Sequence, residues 1–208
     1  MASSLGAGKV ITDGLVLFLD AGNNRSYPGT GTTWTDLSST AITGSLTNGP
    51  TFNTGNGGSI VFDGTNDYCL TGYSANPTYF TIECFLKFND VSGIKVAFGK
   101  YNGSGDDYWV GIYNTSDILF SAKNNIMFSG VTANTSSYYL VHAVLGQNER
   151  AIYINGVKTN TSSSISLNPN GDVTIGTFGT SQTFYSSINV SNFKIYNRAL
   201  TSDEVLQN

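Results

Sequence analysis

The chain has 208 residues, of which 39% are hydrophobic and 12% charged, with ten basic against fourteen acidic side chains and a net charge of -4. Ten basic residues scattered singly cannot follow a phosphate backbone, which argues against nucleic-acid binding. No apolar run approaches the roughly 20 residues that span a bilayer, which argues against a membrane segment.

Polarity comes mainly from Gly, Ser, Thr and Asn, a composition suited to tight turns and uncharged strand faces. Residues 1–12 are small and read as a flexible N-terminal arm, and residues 13–208 read as one domain. No basic segment precedes Lys9, and Leu15–Leu19 is too short for a signal core, so no secretion signal is expected.

The first strand is "LVLFLDA" (15–21), followed by a long turn-rich stretch with two short apolar pieces, Trp34–Leu37 and Ile42–Leu46. "SIVFDG" (59–64) and "DYCLTG" (67–72), joined through Thr65-Asn66, read as a hairpin. "YFTIECFLKF" (79–88) alternates, with Ile82, Cys84, Leu86 and Phe88 on one face and Thr81, Glu83, Phe85 and Lys87 on the other. Strands follow at 94–101, 107–114, 117–123, 125–131 and 137–146. Segment 151–159 holds Asn155-Gly156, a strong type I′ hairpin signal because both residues tolerate positive φ. Segments 172–178 and 186–198 bring the set to about thirteen strands with no repeat and no linker. An antiparallel two-sheet sandwich meets this pattern, each sheet burying one face against the other about 10 Å away. At the end, Thr201 and Glu204 form a capping box for a helix of one or two turns. So short a helix must dock, through Ala199, Leu200 and Val205, and is expected to close one end of the sandwich.

"GSIVFDGTNDY", "FTIECFLKF", "YYLVHAVLGQNERAIYINGVK" and "VSNFKIYNRALTSDEV", in this order, resemble the LamG-like jelly-roll, or concanavalin A-like lectin/glucanase, superfamily. The opening "DGLVLFLDAGNNRSYPGTGTTWTDLS" is similar to the variant common in phage structural proteins and some bacterial surface proteins. The resemblance implies an all-β jelly-roll sandwich with a short C-terminal helix. It also implies a non-enzymatic virion protein (capsid decoration, head-fibre or tail-associated) with a lectin-like head for host-surface glycans. Residues 1–12 would then join it to other virion proteins, as a single copy or a homo-oligomer. A carbohydrate-binding or adhesion module of a bacterial surface protein is the alternative, and a glycoside hydrolase a further one. Cys69 and Cys84 stand where the family usually has large apolar residues, and Ser38-Ser39 replaces its usual turn.

Hydrolysis of a glycosidic bond takes two carboxylates about 5 to 9 Å apart. Of the three glutamates, Glu149 lies in a turn and Glu204 in the helix cap, leaving Glu83 with an aspartate from a neighbouring strand. His142, the only histidine, reads as structural, and no catalytic residue is assigned. The two cysteines are buried thiols or a disulfide; their spacing fits no zinc site. Calcium is the one candidate cofactor, with oxygen donors at Asp63, Asn66 and Asp67 and at Asn102, Asp106 and Asp107; turn hydrogen bonding and solvation are the competing roles. For a glycan, the candidate stacking rings are Trp34, Tyr101, Tyr108, Trp109 and Tyr113, with core packing as the alternative for each. In strand 107–114, Tyr108 and Trp109 must face opposite ways.

Overall fold

The computed structural model describes residues 10–101, 107–179 and 184–208. Among these, the strands are β1 (Leu15–Asp20), β2 (Thr33–Thr35), β3 (Thr43–Thr47), β4 (Thr51–Asn53), β5 (Ser59–Asp63), β6 (Tyr68–Leu70), β7 (Phe80–Phe88) and β8 (Ile94–Lys100). They continue as β9 (Tyr108–Tyr113), β10 (Asp117–Ala122), β11 (Asn125–Thr132), β12 (Tyr139–Leu145), β13 (Glu149–Ile154), β14 (Val157–Ser163), β15 (Thr174–Ile175) and β16 (Ser187–Tyr196), and helix α1 (Ser202–Gln207) ends the chain. Sheet A runs β14-β13-β12-β7-β16-β5-β4, and sheet B runs β11-β10-β9-β8-β15-β6-β3-β2. The ten-residue β16 organises sheet A: its first half pairs β5 and its second half pairs β1 along the same edge. All pairings are antiparallel, so the expected two-sheet sandwich is what forms.

Alternation decides what enters the core. From β7, Phe80, Ile82, Cys84, Leu86 and Phe88 point inward; Val110 and Ile112 of β9 and Ile118 and Phe120 of β10 meet them from sheet B. A bulge between Val96 and Phe98 lets two successive residues, Ala97 and Phe98, enter that core. Asn155 and Gly156, at φ 52° and 80°, turn β13 into β14 as the sequence predicts. Asp36, itself buried, fastens the 36–42 loop: Oδ1 accepts from the N–H groups of Phe18 (2.7 Å) and Ser38 (2.8 Å), and Oδ2 from Thr40 Oγ1 (2.8 Å). Cys69, in sheet B, and Cys84, in sheet A, are buried free thiols, and burial pushes the titration of both upward. Of the two alternatives for the cysteines, this is the one observed.

Three expectations need correction. Segments 59–64 and 67–72 do not form a hairpin: β5 pairs β4 and β16 in sheet A, while β6 pairs β3 and β15 in sheet B. The connection is a corner between sheets. Gly64 turns there at φ 82°, Asp63 Oδ1 accepts the Thr65 N–H at 2.7 Å, and Asp67 Oδ2 accepts the Asp63 N–H at 3.2 Å. Ile60 and Phe62 thereby face Cys69 across one core instead of sharing a sheet with it. Second, α1 does not close an end of the sandwich. It lies on the outer face of sheet A, where Leu200 and Val205 pack on Val144, Ala151, Tyr153 and Tyr196. The capping box forms in both directions at Thr201 and Glu204, and Arg198 holds Glu204 through two bonds of 2.9 and 2.7 Å. Third, the turn-rich stretch also supplies β4, three residues too short for a periodic signal. Of the expected N-terminal arm, residues 1–9 lie outside the described residues. Ile11 packs beside α1 and donates its N–H to Asn208 Oδ1 at 2.9 Å.

Candidate functional site

The outward side of sheet A holds the charged groups raised as catalytic candidates. Register aligns His142 of β12, Glu83 of β7, Lys194 of β16 and Phe18 of β1 in one row across four strands. His142 Nε2 lies 3.2 Å from Glu83 Oε2, and Lys194 Nζ donates to Glu83 Oε1. The Asn208 side chain covers the row, donating to Glu83 Oε2 (3.0 Å) and to the Tyr196 hydroxyl (2.9 Å). Burial alone would raise the Glu83 carboxyl, but the His142 hydrogen bond and the Lys194 ammonium outweigh it and hold the group below its ordinary value. With 1% of its surface exposed and partners on both oxygens, Glu83 offers no route for a glycosidic bond. His142, fully buried, has the structural setting expected of it.

Sheet B presents a different outer face. In β9, Tyr108, Val110 and Ile112 enter the core, so Trp109, Gly111 and Tyr113 face out. Trp109 packs on Val96 and Leu119, with Ile94 and Phe178 at the margin. Phe178 lies across Gly99, where a Cβ would stand 2.8 Å from its ring. Its centroid is 6.0 Å from that of Trp109 and 4.8 Å from that of Tyr101, giving a series of three rings in contact. Thr174 holds the turn that carries Phe178: its Oγ1 donates to the Thr177 carbonyl (2.8 Å) and accepts from the Gly179 N–H (3.0 Å).

Beyond Tyr101 this face opens into a cleft of about 250 Å³ lined by Leu70, Tyr101, Gly171, Asp172, Thr174 and Gly179. Gly179 has φ 69°, and a Cβ there would come 3.0 Å from Tyr101 Cβ, so the turn packs against the tyrosine closely enough to favour glycine. The Asp172 carboxylate accepts no hydrogen bond among the described residues, and it acts electrostatically on Lys100. The Lys100 ammonium is buried and donates to Ser74 O (2.7 Å), Ala75 O (2.9 Å) and Asn76 Oδ1 (2.6 Å). Burial lowers its pKa to about 8, against the opposing pull of Asp172. A ring flank beside an unspent acceptor suits a small polyhydroxylated ligand. A larger groove of about 530 Å³, lined by Val16, Thr40, Ile42, Gly72 to Pro77 and Asn197, is chemically poorer. Its Thr40 hydroxyl is already bonded to the Val16 carbonyl at 2.7 Å and to Asp36 Oδ2 at 2.8 Å.

The stacking candidates therefore divide. Tyr101 and Trp109 join through Phe178 on the outer face of sheet B. Tyr113 shares that face and is 37% exposed, but four residues of strand separate it from Trp109 by about 13 Å. Trp34 and Tyr108 are buried in the central core, away from that face. Asp63 and Asp67 spend oxygens on the corner between sheets, and the Asn66 carbonyl accepts from Asn48 Nδ2 at 2.8 Å. Asn102 and Asp106 lie outside the described residues, and Asp107 is buried. Sequence reasoning missed Phe178 and Asp172. The only signal is the strand pattern at 172–178, of which Thr174–Ile175 alone is strand, so alternation could not assign either side chain.

A profile of the concanavalin A-like lectin/glucanases superfamily matches residues 62–206. No curated protein sequence matches the chain. Among solved structures, the Trypanosoma rangeli sialidase in complex with 2,3-difluorosialic acid is similar at a TM-score of 0.75 and 15% identity, over 100% of this chain and 35% of the sialidase. The binding domain of Paraclostridial Mosquitocidal Protein 1 is similar at a TM-score of 0.71 and 16% identity, over 93% of this chain and 51% of that one. Domain 4 of AbnA, a GH43 extracellular arabinanase from Geobacillus stearothermophilus in complex with arabinotriose, is similar at a TM-score of 0.70 and 14% identity, over 92% of this chain and 96% of that domain. The chain spans about a third of the length of the sialidases. At these identities the shared property is the fold.

Proposed function

This chain belongs to the concanavalin A-like lectin/glucanases superfamily, and we propose that it is a non-enzymatic carbohydrate-binding module whose sugar site is the cleft beside Tyr101. The observation that carries this reading is the Asp172 carboxylate, which accepts no hydrogen bond among the described residues and lines one cleft with Tyr101. A pyranose or furanose presents an apolar face to a ring and hydroxyl donors to an acceptor, and this cleft offers both within one small concavity. The arabinotriose complex of a domain nearly coextensive with this chain supports a glycan ligand. Binding is favoured over hydrolysis because Glu83 is sealed and Asp172 is the single carboxylate lining the cleft among the described residues. The test is an oligosaccharide array probed with the whole chain and with Tyr101→Ala. The chain is expected to retain at least one oligosaccharide, and the variant to bind it about tenfold more weakly at an unchanged melting temperature. Uniform blanks would sink the reading, and a parallel array in EDTA reads any calcium requirement.

For its setting, we propose a phage particle, with residues 1–12 joining the module to other virion proteins. The resemblance of the opening segment supports this, and so does geometry. Ile11 meets Asn208 on the outer face of sheet A, so a tether there leaves the outer face of sheet B directed away. The alternative, a module of a bacterial surface protein, is supported by the chain's spanning only part of larger relatives. Mass spectrometry of purified particles separates the two, and absence of the protein from them rejects the virion setting.

A further inference from the structure

We infer that the cleft beside Tyr101 accepts uncharged glycans and rejects acidic ones, with Asp172 as the specificity-determining residue. This rests on the carbohydrate-binding reading above and narrows its ligand class. Asp172 is the only charged side chain among the described residues lining the cleft. Its oxygens lack a donor among the described residues, and a sugar hydroxyl supplies one, in a charge-assisted bond stronger than a neutral one. A uronate or sialate carboxylate in the same position has no proton to give and meets a like charge. At about 5 Å, with an effective dielectric between that of water and that of a protein surface, such repulsion weakens binding by about 4-fold to about 250-fold.

Among the described residues lining the cleft, no cation offsets that repulsion. Lys100, the cation on which Asp172 acts, is buried, and its three ammonium hydrogens have three acceptors in Ser74 O, Ala75 O and Asn76 Oδ1. It cannot turn toward a ligand without breaking the contacts that hold the 74–76 segment. The net charge of -4 acts in the same direction at longer range.

The experiment is an array of matched pairs: gluco-, galacto- and manno-oligosaccharides beside their uronate counterparts, and lactose beside sialyllactose. It is probed with the whole chain and with Asp172→Asn, which keeps the side-chain shape and one acceptor oxygen. The wild type is expected to bind at least one neutral member, with its acidic counterpart at least about tenfold weaker. That gap is expected to shrink to within about threefold in Asp172→Asn, and to narrow in the wild type as salt shortens the screening length from about 30 to about 8 Å. Acidic members bound as well as neutral ones, or an unchanged gap in Asp172→Asn, would overturn the inference alone. Blanks for both members of every pair would overturn the carbohydrate reading and this inference with it.

Discussion

On the outer face of sheet A, His142, Glu83, Lys194 and Phe18 stand in one cross-strand row sealed by α1 and Asn208, whereas on the outer face of sheet B Trp109, Phe178 and Tyr101 lead to an open cleft. On sheet A the charged groups are buried, and on sheet B the rings of Phe178 and Tyr101 are half-buried, with Tyr101 lining the cleft. A buried charge persists only when paired and hydrogen-bonded, and in the sealed row both Glu83 oxygens have partners in His142, Lys194 and Asn208. On sheet B the Asp172 carboxylate accepts no hydrogen bond among the described residues, which is why the proposed ligand site is placed on that face.

The largest expected effect breaks the sealed face. Glu83→Ala leaves the Lys194 cation buried without its carboxylate and removes the partner of His142, at a cost of about 3–5 kcal/mol read by urea unfolding. Glycan binding by the fraction that still folds is expected to stay at the wild-type level, because the cleft lies on the other sheet; lost binding would mean the two faces are coupled. Next is Gly111→Ala on the open face. Its Cβ would stand 1.9 Å from the Lys95 carbonyl oxygen, so the β8–β9 pairing must shift, at about 1–3 kcal/mol. Smaller is Thr201→Ala, which removes the helix cap at about 1 kcal/mol and is expected to raise hydrogen exchange in α1 while leaving β9 unchanged.

The smallest effect is a pH dependence read locally in α1. Hydrogen bonds from Arg198, and from the Thr201 N–H, lower Glu204 from 4.5 to about 2. A carboxylate depressed in the folded state stabilises it fully above 4.5, and that contribution is lost as pH falls from 4.5 toward 2. Amide exchange in α1 should therefore rise through that window in the wild type. The same rise in Glu204→Gln would show that another group is responsible.

Much of the fold was legible because it is local. The clean alternation of 79–88 separates Ile82, Cys84, Leu86 and Phe88 from Thr81 and Glu83 without reference to any partner strand. The Asn155-Gly156 turn and the Thr201–Glu204 box are likewise written in neighbouring residues. The corner at 63–67 was not legible, because Gly64 and the side chains of Asp63 and Asp67 would serve a hairpin as well as a crossing between sheets.

Half of the candidate site was visible in the same way. That Tyr108 and Trp109 face opposite sides follows from the period of a strand, yet which ring enters the core depends on where sheet A lies. Asp172 and Phe178 flank a two-residue strand and became neighbours of Tyr101 only when β15 paired with β8.

By itself, then, the sequence determined the longer strands, their inward faces, the tight hairpin and the capped helix, since each depends on residues a few positions apart. Tertiary structure alone decided which sheet each strand joined, that α1 covers the charged row, and that the open cleft forms beside Tyr101. Those outcomes depend on pairings between residues far apart in the chain, and local periodicity carries no record of them.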